Sequence, residues 1–247
     1  MKNSVLLFCL LIIFSSITTT GKSAGLSGSD KRDSLSLEIS GDFVSRYIWR
    51  GLPLSLGANI QPYVSATYGK FTLGAWGSYS LSTPYSEADL FLSFNQGAFT
   101  FNVSDYYNED ENDMSANDYL NFRCTDSTTT AHTIEGSVTF NGTDNFPLEL
   151  TVATFLYGND RDDNNRKYYS TYLEAAYSFA IKESELRLFI GGTAGEGFYS
   201  SKAAVTNVGF TASHELHISD SYSLPVYSSF IVNPDSRDVF LVFGMTF

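Results

Sequence analysis

Glu38, Asp42, Arg46 and Arg50 place ionisable groups of both signs at positions of one parity. In an extended chain successive side chains point to opposite faces, so residues an even number apart share a face. Acids and arginines striped along one face do not belong in a hydrophobic core. They suit a wetted interior, where they orient passing solutes through a transverse field or close into an ion-paired network. Glu87, Asp89, Glu149, Glu174, Glu185 and Arg187 add charge on the polar faces of other runs. These ten residues form the candidate pore-lining set.

Other chemistries are less well served. His132 and Asp105 sit on neighbouring runs with outward parity, near the height at which an outer-membrane lipid hydrolase would work. A hydroxyl nucleophile needs a base within hydrogen-bond reach, but Ser104 has the inward parity and Ser127 lies in a loop. The acids Glu109, Asp110, Glu111, Asp113, Asp118 and Asp126 crowd one long segment, with Asp160, Asp162 and Asp163 in another. Their spacing matches no calcium loop, and a solvated adhesive or structural surface is the alternative they support. Gly191, Gly192, Gly195 and Gly197 close a strand with no helix after it, so no phosphate cradle is expected. No catalytic residue, metal site or cofactor is expected.

The elements that position the charges have period two. Leu35, Leu37, Ile39 and Phe43 alternate with Ser36, Glu38, Ser40 and Asp42, and this pattern recurs to Val239, Leu241, Phe243, Met245 and Phe247. Marking the runs gives 35–49, 60–68, 70–81, 86–95, 97–107, 131–140, 147–157, 168–181, 185–194, 204–216, 222–232 and 238–247. Each approximates the roughly ten residues a tilted membrane strand needs. Short turns alternate with long polar loops at 108–130, 158–167 and 195–203. That asymmetry predicts an all-β fold, a transmembrane antiparallel up-and-down barrel of about twelve strands. Fourteen remain open through 119–124. An interior of that size lies between the filled eight-strand barrel and the open sixteen-strand porin.

Aromatic residues sort to the strand ends. Trp49, Tyr79, Tyr107 and Tyr169 fall on the apolar parity near the long loops, and Tyr68, Phe71, Phe94, Phe99, Phe140, Phe179 and Phe247 near the short turns. Two such rings are expected at the two interfaces of a membrane, with lipid as partner. Phe247 also offers the terminal aromatic that a barrel-assembly machinery recognises.

The chain opens with Lys2, an apolar stretch over 5–17 and small residues near 24, the layout of a cleaved signal peptide. The expected division is 1–24 signal peptide, 25–34 a short lead and 35–247 the barrel, exported to the outer membrane of a Gram-negative cell. Cleavage leaves Cys124 without an internal disulfide partner. A formal charge of -12 disfavours nucleic acid as a partner, since phosphate binding needs clustered Lys and Arg.

The segment Tyr47-Ile48-Trp49-Arg50-Gly51-Leu52-Pro53-Leu54-Ser55 resembles the opening of the TorF family of porin-like proteins. Leu224-Pro225-Val226-Tyr227, Asn233-Pro234 and the closing strand are also similar to that family. The resemblance implies an outer-membrane barrel acting as a channel for small polar solutes or ions. It supplies no substrate.

Overall fold

Alternating apolar and polar residues leave each strand one face for the outside and one for the inside, and a sheet curled on itself satisfies both. The computed structural model describes residues 34–125 and 130–247. The signal peptide expected at 1–24, and the lead at 25–34 apart from Ser34, lie outside the described residues.

Fourteen strands are present among them: β1 (Ser36–Val44), β2 (Tyr47–Trp49), β3 (Leu52–Ser55), β4 (Asn59–Tyr68), β5 (Phe71–Ser80), β6 (Ser86–Gln96), β7 (Phe99–Glu109), β8 (His132–Phe140), β9 (Leu148–Gly158), β10 (Thr171–Ile181), β11 (Ser184–Thr193), β12 (Ala204–Ser219), β13 (Tyr222–Asn233) and β14 (Asp238–Thr246). Twelve close into a barrel in which each strand pairs with its neighbours in sequence, and β1 meets β14. The other two, β2 and β3, form a separate two-stranded sheet. The segment 119–124 adds no strand, so the barrel has twelve.

Closure is made by antiparallel pairing of Phe43 with Met245, extended by reciprocal backbone bonds of 2.9 Å between Gly41 and Phe247. The Thr246 hydroxyl donates to Asp42 Oδ1 at 2.6 Å across the same seam. At the opposite end of the hairpins from the long loops, connections are tight. Gly69 takes a φ of 59° in a two-residue turn, where a left-handed conformation matches the strand twist.

The outer wall is apolar. Leu37, Ile39, Leu73 and Leu241 are exposed by 60–83%, far more than a water-facing wall ordinarily shows for such side chains. Around the short-turn end, Phe71 meets Phe94 at 4.9 Å and Phe99 meets Phe140 at 5.3 Å, giving a continuous aromatic rim over β5–β8. Near the long loops the expected ring is only partly present. Tyr79 and Tyr169 are exposed on the outside, but Tyr107 is buried against Tyr119 and His132. Trp49 is not on the wall at all. The run 35–49 is not one strand: β1 ends at Val44, and the chain bends inward at Ser45 and Arg46.

Candidate functional site

Tyr47, Ile48 and Trp49 are three consecutive apolar residues, so the strand they form has no polar face to turn toward water. Such a strand is stable only when covered on both sides. It is covered by entering the barrel. Ile48 packs on Ala176, Phe189, Ile231, Phe240 and Val242. On the other face Tyr47 meets Trp76 and Tyr85 at 5.4 and 5.9 Å, and Trp49 stacks on Phe155 at 6.2 Å with Tyr106 edge-on at 5.5 Å.

The returning strand pairs Leu52 with Trp49, which leaves Arg50 and Gly51 as a two-residue turn with φ of 52° and 81°. A turn positive at both positions is the type I′ form that hairpins favour. Gly51 is required twice over, because a Cβ there would stand 1.9 Å from the Thr206 carbonyl oxygen. The tip is tied down by Asn233 Nδ2, which donates to the Gly51 carbonyl at 3.1 Å, and by Thr206 Oγ1, which donates to that of Arg50 at 3.2 Å.

Arg50 anchors the hairpin. Its Nη2 donates to Glu135 Oε1 at 2.9 Å, its Nη1 donates to Glu135 Oε2 and to the Tyr199 hydroxyl, and Tyr106 donates to Glu135 at 3.0 Å. The guanidinium lies 4.4 Å from the Trp49 ring centroid and 4.8 Å from that of Tyr172. With Glu135 2% exposed, the pair is desolvated, and each charge depends on the other.

Between the hairpin and the short-turn end lies a chamber of about 580 Å³. Glu38, Asp42, Arg46, Arg50, Asp89, Glu149, Glu174 and Arg187 all line it. Glu87 and Glu185 do not. Glu87 is buried beside Tyr85, whose hydroxyl donates to it at 2.6 Å, and Glu185 shares the inward parity of Arg187 without reaching the chamber. Arg187 bridges Glu149 at 2.7 Å and Glu174 at 2.9 Å. Glu174 also accepts from Tyr172 at 2.6 Å and from Asn207 at 3.1 Å. Tyr172 fits because Gly191 faces it, where a Cβ would lie 2.1 Å from the Tyr172 hydroxyl. Part of the glycine-rich segment thus serves packing inside β11.

Two loops brace the long-loop end. Asp160 accepts from the Ser170 backbone and hydroxyl at 2.8 and 2.6 Å, and Ser170 Oγ accepts from the Phe198 N–H at 2.7 Å. Phe198 and Tyr199 then pack on Trp49 at 6.0 and 5.8 Å. Farther out, the Asp162 carboxylate accepts backbone N–H groups from Arg166 and Asn164 at 2.7 and 2.9 Å, which holds its pKa below the usual value.

His132 and Asp105 do come together, at 2.8 and 3.0 Å from Nδ1. His132 Nε2 is bonded to the Tyr119 carbonyl at 2.7 Å and the ring is stacked on Phe122 at 4.0 Å. Both ring nitrogens are therefore occupied, and among the described residues no serine hydroxyl is bonded to them; Ser127 lies outside the described residues. Within the acidic loop Asp110 and Asp113 accept from backbone N–H groups of their own segment, and Asp126 lies outside the described residues. Among the described residues no group of three or more His, Cys, Asp or Glu converges to hold a metal.

Sequence reasoning missed Glu135, although it has the inward parity of its run between Ile134 and Gly136. It also missed the aromatic lining of Tyr106, Phe155, Tyr172 and Tyr199. The signal for an inward hairpin was Ile48, an apolar residue where alternation calls for a polar one.

These features define a class: a twelve-stranded up-and-down barrel with a charged interior and an in-folded hairpin across it. The chain matches no known family model and no curated protein.

Proposed function

We propose that this barrel is a porin-like outer-membrane channel for passive diffusion of small solutes or ions, and that the Tyr47–Ser55 hairpin sets its constriction. The observation that carries this reading is the chamber of about 580 Å³ enclosed by a single wall and lined by acids and arginines. Glu38, Arg46 and Asp89 line the chamber without joining either of its ion-paired clusters, so it holds charge beyond what braces the barrel. The exposed apolar wall with its aromatic rim supports residence in lipid. The resemblance to TorF-like proteins and the expected signal peptide support export. Barrels of this kind keep short turns in the periplasm and longer loops outside, so the short-turn side is assigned to the periplasm. No catalytic step is part of this function.

One observation favours a second reading. The hairpin tip is fixed by hydrogen bonds, an ion pair and aromatic packing, as in a closed, non-conducting barrel that works through its surface loops. Ion efflux from liposomes separates the two. The channel reading expects refolded, heat-modifiable protein to release entrapped potassium faster than protein-free liposomes. Equal rates overturn it.

A further inference from the structure

Glu87 and Asp89 occupy consecutive inward positions on β6, about 6.6 Å apart along the strand at ~3.3 Å per residue. Each is 4% exposed. Glu87 is well provided for: Tyr85 donates at 2.6 Å, and the Tyr47 hydroxyl and Asn108 amide are also directed at it. Asp89 is not. It takes the Tyr107 backbone N–H, but its Oδ1 is buried and meets no hydrogen-bond donor among the described residues. The strongest charges acting on Asp89 are Glu87, Asp105 and Glu135, all acids. Arg50 is engaged with Glu135 and Arg187 with Glu149 and Glu174, and Arg46, which lines the same chamber, makes no ion pair with Asp89. A buried carboxylate oxygen among other carboxylates requires a positive charge or a proton.

We propose that Asp89 and Glu87, capped by the hydroxyls of Tyr47 and Tyr85, form a binding site for a small monovalent inorganic cation such as potassium. The donor set is oxygen only, which suits a hard cation. It offers two carboxylates and not the larger oxygen cage that calcium takes, so occupancy is weak and exchangeable. Along the chamber six acids stand against three arginines, giving the same sign of selectivity. As a step in permeation the site rests on the channel reading. Tyr47, which roots the hairpin, lies against the site, with its hydroxyl directed at Glu87 and its ring beside those of Trp76 and Tyr85.

Two measurements on the refolded mature protein test this. The first is the infrared carboxylate band in detergent on exchanging N-methylglucamine for potassium, which needs no conduction. The second is the reversal potential in a potassium chloride gradient. The wild type is expected to show a potassium-dependent band shift that Asp89→Asn and Glu87→Gln each weaken. Its cation preference should fall by about ten-fold or more in Asp89→Asn, the size expected for losing one unit charge at about 3 Å through an effective dielectric of roughly 80 or less. Asp89→Asn is nearly isosteric, and heat-modifiable migration verifies its folding. Conducting protein whose band and selectivity are unchanged by either substitution overturns the site and leaves the channel intact. A silent barrel that keeps the Asp89-dependent band retains the site and removes the channel. A band that responds equally to N-methylglucamine and potassium assigns the pair a shared proton and overturns the cation.

Discussion

Arg50 and Glu135 meet inside the barrel, although β1, from which the hairpin of Arg50 springs, and β8, which carries Glu135, are five places apart around the wall in one direction and seven in the other. A two-residue turn on a hairpin rooted in β1 thus spans nearly the full width of the lumen. The pair is what converts an apolar hairpin into a fixed one.

Removing one member of a desolvated pair leaves the other uncompensated, at a cost of about 3–5 kcal/mol. Arg50→Ala and Glu135→Ala are each expected to lower stability by that order in urea titrations of the lipid-embedded protein. The double variant should lose less than the sum. Arg50→Lys should fall between, since it keeps the charge but loses the planar fork and stacking on Trp49. Additive losses would show that the two side chains do not interact.

Gly51→Ala tests how the tip is seated. The substitution places a methyl against the Thr206 carbonyl in a left-handed conformation, a strain of at least about 1–2 kcal/mol. Amide exchange across 47–55 should accelerate while β6 and β12 stay protected. Unchanged exchange at the tip would contradict the docked arrangement.

Most of the fold is legible because a barrel wall obeys one rule, an apolar residue at most outward positions. The wall strands keep that alternation with polar exceptions such as Asp105 and His132 near the long loops, and the turn asymmetry orders them. The rule says nothing about a segment that leaves the wall, and there the reading went astray. Trp49 and Tyr47 continue the outward parity in number but not in space, because Ile48 makes both faces of their strand apolar. Tyr107 and His132 share the outward parity and are nevertheless covered, by the loop residues Tyr119 and Phe122. Parity brought Arg187, Glu149 and Glu174 onto one face. Their convergence on a single guanidinium depends on strand stagger, which no local pattern encodes.

That cluster gives a third expectation. Arg187→Ala leaves Glu149 and Glu174 facing each other without their shared cation and should destabilise the protein by about 3–5 kcal/mol. Combining Arg187→Met with Glu149→Gln and Glu174→Gln should recover most of the loss in the same urea titration. Failure to recover would mean the cluster serves more than charge balance.

The Asp162 loop has a definite pH response. Its carboxylate is bonded in the folded state and its pKa lies below 3.8, so the folded state binds fewer protons than the unfolded. The stabilisation is complete above 3.8 and is lost as pH falls through the lower folded value. Protease cleavage within 159–170 should rise on acidification through that window in the wild type. In Asp162→Asn the rise should be absent and cleavage already faster at neutral pH. An identical pH profile in the two proteins would remove Asp162 from the explanation.

The central claim is that the barrel conducts and that its hairpin sets the constriction. Single-channel recording in planar bilayers tests it directly, comparing the wild type with a variant in which residues 47–55 are replaced by a short glycine-serine link. Both are first shown to be folded by heat-modifiable migration. The predicted result is steady small steps for the wild type and larger steps for the variant. Two folded barrels that are both silent, or that share one step size, would contradict it.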